Sequence, residues 1–131
     1  MKFDKIKIVA AVVALASVAV AGSAVAGDTY HAEVFIDTVA SEASGTAYGA
    51  RTSSNSEEMI HCAVYGYSSG SASVRCFAAN AAGVFKECSS SSAGIVNAVQ
   101  AISDYSAISF SWNAQGTCTS VSVHTGSRFL P

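Results

Sequence analysis

Four cysteines constrain this chain more than anything else in it: Cys62, Cys76, Cys88 and Cys118. An even count in an exported chain reads as two disulfides. No C-x2-C pair occurs, which argues against a zinc site built from the four thiolates. A catalytic thiol needs a C-x-x-C pair or a partnered free thiolate, and neither pattern is present.

The residues between the cysteines set a register. Ser68-Ser69-Gly70, Ala81-Ala82-Gly83 and Ala114-Gln115-Gly116 each end in glycine between strand-like runs. A three-residue hairpin loop takes a type I turn and then a left-handed residue, which glycine adopts most cheaply. The spacing therefore predicts hairpins 59–67/71–79, 72–80/84–89 and 106–113/117–125. If Tyr67 and Ser71 flank the first loop, Ile60 faces Ala78, Cys62 faces Cys76 and Val64 faces Val74. If Asn80 and Val84 flank the second, Cys76 also faces Cys88. Cys62 and Cys88 then stand two strands apart, nearly 10 Å, whereas a disulfide needs Cα atoms within about 7 Å. That argues against 62–88 with 76–118. Two pairings survive: Cys62–Cys76 with Cys88–Cys118, and Cys76–Cys88 with Cys62–Cys118. Counting outward from the loops puts 62/76 at a non-hydrogen-bonded position and 76/88 at a hydrogen-bonded one. Side chains approach more closely at the former, which favours Cys62–Cys76 with Cys88–Cys118. Each bridge is worth roughly 2–4 kcal/mol, the longer loop more. Their expected role is structural, compensating for a small core.

The oxidising compartment is read from the first residues. Lys2, Lys5 and Lys7 precede an apolar run from Ile8 to Ala21, and Ala24-Val25-Ala26 offers small residues for a signal peptidase. The pattern is a secretory signal over 1–26 with cleavage after Ala26. The run is short for a membrane span, which needs roughly 20 apolar residues. The expected protein is secreted or periplasmic, with no stable membrane insertion after cleavage. Residues 27–131 are enough for a single β-rich domain. They carry four basic residues (Arg51, Arg75, Lys86, Arg128) and eight acidic ones, a net charge of −4 with His neutral. Scattered cations on an acidic chain exclude nucleic acid, which needs clustered Lys and Arg, and disfavour anionic membranes.

Elsewhere, Tyr30, Ala32, Val34 and Ile36 alternate with His31, Glu33, Phe35 and Asp37, predicting a strand over 29–37. Residues 38–58 read as polar loops around a short strand at Thr46–Arg51. Ile95, Val96, Val99 and Ile102 share one face of a short helix near 94–103, with Ser92 as its cap. Ser127–Leu130 reads as a last strand-like piece. The fold class is all-β, mainly antiparallel: a small disulfide-stabilised β-sandwich or curled sheet of about six to eight strands with one short helix.

Candidate chemistry is sparse. There is no G-x-S-x-G elbow, phosphate loop, calcium loop or zinc-helix motif. No spacing among His31, His61, His124, Asp37, Asp104 and the serines supports a triad. His31-x-Glu33 with Asp37 has metal-ligand residue types, but a half-exposed polar strand face has the same pattern. We expect no catalytic, cofactor or metal residues. The same hairpin registers do create two faces. One carries Ile60, Cys62, Val64, Val74, Cys76, Ala78, Val84 and Cys88 and is the better core. The other carries His61, Tyr65, Tyr67, Arg75 and Phe77, with Phe85 and Glu87. It is either a recognition surface, since aromatics and Arg are favoured there, or is covered by another layer. The expected function is a non-enzymatic exported recognition module for a protein, glycan or surface component, with His61, Tyr65, Tyr67, Arg75 and Phe77 as the binding face. The alternative is a structural subunit of an extracellular fibre, matrix or coat, self-assembling through strand edges or exchange of 29–37. A small secreted enzyme, or an inhibitor using loop 52–58 or 89–94, is the third class.

Overall fold

Residues 28–131, the part of the chain that this computed structural model describes, contain seven strands and two short α-helices. The signal expected over 1–26 lies outside the described residues. In chain order the elements are β1 (Phe35–Asp37), β2 (Glu42–Thr46), α1 (Ala47–Thr52), β3 (Met59–Gly66), β4 (Ala72–Ala79), β5 (Phe85–Ser90), α2 (Ala93–Val99), β6 (Ala107–Trp112) and β7 (Cys118–His124). A 3-10 turn over Ser127–Phe129 follows. The strands form two antiparallel sheets, ordered β1-β2-β6-β7 and β3-β4-β5. Their apolar faces share one core. Val74, Cys76, Ala78 and Cys88 come from the small sheet, Ala43, Ile108, Phe110 and Cys118 from the large one, and Val96 and Val99 from α2. The architecture is thus two sheets over a common core rather than one curled sheet.

The three glycine-ended hairpins are present, the first two in the expected register and the third with a one-residue shift at Ser111/Trp112. Tyr67, Asn80 and Asn113 donate their backbone N–H groups to the carbonyls of Ser71, Val84 and Thr117 at 3.0–3.1 Å. Gly70, Gly83 and Gly116 take φ of 83°, 75° and 74°, a region that side chains with a Cβ avoid. Ile60 pairs with Ala78, Cys62 with Cys76, and Cys76 with Cys88. The disulfides are Cys62–Cys76, with Cα atoms 4.0 Å apart, and Cys88–Cys118, at 5.0 Å. The first bridges a non-hydrogen-bonded pair, where the strands bring side chains closest. The second ties the small sheet to β7 of the large one.

Two asparagines that glycine spacing alone does not reveal hold the later loops. Asn80 Oδ1 accepts from the N–H of Ala82 and of Val84, and Asn113 Oδ1 accepts from Gln115 and Thr117. Asn80→Ala removes two such bonds from a partly buried turn. It should cost about 1 kcal/mol and lower the melting temperature by about 4–8 °C. An unchanged melting curve would assign loop closure to Gly83 alone.

Four local expectations are corrected. The strand over 29–37 survives only as β1. Residues 30–34 form no ladder: Ala32 N–H donates to Thr46 Oγ1 (3.0 Å) and Val34 N–H to Glu58 Oε1 (3.1 Å), and the backbone bonds are isolated ones, from Tyr30 N–H to Arg128 C=O (2.6 Å) and from Thr46 N–H to Ala32 C=O (3.1 Å). The strand expected at Thr46–Arg51 is helix α1, because Thr46 Oγ1 caps it by accepting from Gly49 N–H at 3.0 Å. The strand lies just before it, as β2. Its turn back to β1 is fixed by Asp37 Oδ1, which accepts from Val39 and Ala40. Helix α2 ends at Val99 rather than 103, and Ser92 occupies its N-cap without a side-chain bond. Ser127–Phe129 is a 3-10 turn that buries Phe129, not a strand.

Candidate functional site

Strand alternation sends Cys62, Val74, Cys76 and Cys88 inward and their sequence neighbours outward. The outer face of the small sheet therefore holds His61 and Tyr65 from β3, Ser73, Arg75 and Phe77 from β4, and Phe85, Glu87 and Ser89 from β5. Tyr67 extends it from the first loop. No other described element covers this face: Tyr65 is 44% exposed, Tyr67 55% and Phe85 49%. His61 and Arg75 are exposed and Phe77 half-buried. All five residues of the expected binding face lie together, and the covering layer considered as their alternative is not found among the described residues.

The face has two halves. At one end His61 stacks on Phe77 with ring centres 4.9 Å apart, and Phe85 follows at 6.3 Å. These rings form a row across all three strands, with Phe77 half-buried between the exposed His61 and Phe85. At the other end lies a shallow depression of about 630 Å³, bounded by Tyr65, Tyr67, Ser73, Arg75, Ser89, Ser90, Ser91 and Thr117. Tyr67 Oη and Ser73 Oγ share a hydrogen bond of 3.1 Å, which fixes one wall. Thr117 reaches the rim because the loop after β6 is held to β5: Ser89 N–H donates to Gly116 C=O at 3.0 Å, beside the Cys88–Cys118 bridge.

Arg75 is the only cation in the depression. Among the described residues it has neither an ion pair nor a side-chain hydrogen bond. The ion pair formed there is Arg128–Asp28, at 2.8 Å. The hydroxyl set of Ser73, Ser89, Ser90, Ser91 and Thr117 is not singled out by the sequence, where 89–94 stands only as a candidate inhibitor loop. The odd parity of Ser73 and Ser89 with Arg75 was the available signal.

Other cavities are less apt for recognition. One of about 240 Å³ lies between the terminal segments, walled by Tyr30, Ala32, His124, Arg128 and Phe129. Its cation is already neutralised by Asp28 and sits 5.3 Å from the Tyr30 ring centre. Another of about 280 Å³ brings His61, Ser103, Asp104 and Arg51 together. There Ser103 Oγ bonds Ser106 Oγ, and no hydrogen bond links His61, Ser103 and Asp104. His31 packs on Tyr48, 4.5 Å between ring centres, and Asp37 serves its turn. Among the described residues no three His, Cys, Asp or Glu side chains group as metal ligands. Among them, too, no helix is long and apolar enough to cross a membrane.

No protein-family model matches the chain, and searches of the curated proteins and of the solved structures return no match.

Proposed function

We propose that this protein is a small exported, non-enzymatic recognition module that binds a glycan, protein or surface component on the outer face of β3, β4 and β5. The observation that carries the reading is the joint exposure of Tyr65, Tyr67 and Arg75 on one face of a sheet whose other face is disulfide-linked. Tyr supplies large contact area with little ordering cost, and Arg supplies directed donors. The bridge behind them holds that arrangement before a ligand arrives, which reduces the entropy lost on binding. Two disulfides also suit a secreted or periplasmic location.

The test is binding of the exported protein to a panel of immobilised glycans and purified cell-envelope fractions, compared with a Tyr65→Ala/Tyr67→Ala variant. Both side chains stand outside the core, so the variant should melt within a few degrees of the wild type. Its affinity for a retained panel member should fall tenfold or more. Retained affinity in the variant would remove this face from consideration.

A structural subunit is the second reading, favoured by the free edge of β3. Val64 and Gly66 turn their backbone N–H and C=O groups away from β4, and no described residue receives them. No proline, charge or bulge guards that edge over Val64–Tyr67, so it can accept a strand.

A further inference from the structure

We propose that the Arg75 end of this face is a subsite for the carboxylate of an acidic saccharide, a uronic acid unit of a polysaccharide. The inference rests on the recognition reading above and specifies its ligand class.

Arg75 sits at the centre of β4, between Ala63 of β3 and Ser89 of β5. Those small neighbours leave its guanidinium uncovered, and no described carboxylate lies within ion-pair distance of it. A guanidinium presents a planar fork of donors that fits a carboxylate through two parallel hydrogen bonds. Other side chains lining the depression are neutral and hydroxylic, Ser73, Ser89, Thr117 and the Tyr67 phenol, while Glu87 borders Arg75 in the adjoining cavity without forming an ion pair with it. Hydroxyls both donate and accept, as sugar hydroxyls do. Tyr65 and Tyr67, whose Cα atoms stand about 7 Å apart along the strand direction, add half-exposed rings, apolar surface for the C–H groups of a pyranose. The depression, about 630 Å³, falls among small-ligand sites of roughly 300–1,000 Å³.

The same geometry separates this ligand from its rivals. An extended peptide is usually taken up through backbone groups at a sheet edge. Here the floor is the central strand, whose backbone is spent on β3 and β5. A nucleic acid needs many cations, and the depression has one. A neutral sugar accepts hydrogen bonds from Arg75 through its hydroxyls but leaves the charge unmatched. The cysteines add rigidity: Cys76 follows Arg75 directly and Cys88 precedes Ser89, so both recognition residues are backed by a bridge.

The experiment is an amide chemical-shift titration of the labelled exported protein with four probes. These are trigalacturonate, its fully methyl-esterified form, a glucuronate-containing hyaluronan tetrasaccharide, and tetraglutamate. We expect at least one of the two uronates to move the amides of Tyr65, Tyr67, Arg75 and Ser89. For trigalacturonate the ester is the control and should bind at least tenfold more weakly. Arg75→Gln should weaken uronate binding at least tenfold with an unchanged melting temperature. Equal binding of trigalacturonate and its ester, or an unaffected Arg75→Gln, overturns the acidic subsite while leaving the recognition face in place. Tetraglutamate binding as tightly as the uronates overturns the saccharide class, as does an absence of shifts with both uronates. Shifts confined to another surface overturn the subsite, while the recognition face is overturned separately by retained panel affinity in the Tyr65→Ala/Tyr67→Ala variant.

Discussion

Replacing Cys88 and Cys118 with alanine should lower the free energy of unfolding by about 4 kcal/mol and the melting temperature by about 15–25 °C. The bridge closes 30 residues of chain, against 14 for Cys62–Cys76. In the chain-entropy account the longer loop constrains the unfolded ensemble more, which puts the Cys62→Ala/Cys76→Ala variant at a loss of about 3 kcal/mol. Burial adds to the difference: Cys88 and Cys118 lie in the core, while Cys62 is only half-buried. The long bridge also joins the two sheets, whereas the short one joins neighbouring strands already in register. Urea unfolding followed by Trp112 fluorescence gives both values. A larger loss from the Cys62/Cys76 pair would mean that the unfolded chain keeps the 62–76 hairpin open and the 88–118 segment closed.

Gly49→Ala should cost about 3 kcal/mol, opposite in sign to what helix propensity alone dictates. Gly49 lies within α1 with ordinary helical backbone, where alanine gains about 1 kcal/mol over glycine. Packing wins instead. A Cβ at that position meets the carbonyl oxygen of Ala32, and would stand 2.5 Å from Thr46 Oγ1 and 2.9 Å from the Ala32 carbonyl carbon. Ala32 is backbone on the facing segment, so relief requires residues 30–34 to lift. That movement breaks three bonds between Thr46 and Ala32, two donated by the Thr46 N–H and Oγ1 to the Ala32 carbonyl at 3.1 Å and one accepted by Oγ1 from the Ala32 N–H at 3.0 Å, and draws Val34 from the core. Overpacking costs typically 1–3 kcal/mol, and each lost bond adds about 1 kcal/mol, against the propensity gain. Urea unfolding together with hydrogen exchange at the Ala32 and Val34 amides reads the effect. A stabilised variant would show that residues 30–34 are not seated on α1.

The hairpins were legible because their signals are local. Each glycine-ended loop fixes a register, and register fixes which cysteines meet; Cys62, Cys76 and Cys88 line up from spacing alone. The same parity put His61, Tyr65, Tyr67, Arg75 and Phe77 on one face. What sequence could not supply was whether a second layer covers them, since that depends on how the sheets pair, a long-range outcome. The N-terminal half was misread for a related reason. Residues 30–34 alternate like a strand, yet the Ala32 and Val34 amides bond to the side chains of Thr46 and Glu58, 14 and 24 positions away, and the Tyr30 amide to the carbonyl of Arg128. Thr46 itself is β-branched and favours a strand by propensity. As a cap it ends one and starts a helix, a role set by its neighbours. The serines of the depression were hidden by composition, because Ser89–Ser92 reads as linker until Ser89 is paired with Arg75.

The placement of recognition residues and structural residues on alternate positions of the same strands has an evolutionary consequence. Positions 63, 65, 73, 75 and 89 project away from the core, while 62, 74, 76 and 88 hold it. Specificity and foldability are therefore written in different letters of the same short segment. Descendants of such a chain can exchange the first set freely and inherit the second unchanged. A selection library randomised at those five outward sites should yield new binders whose unfolding curves overlay that of the parent.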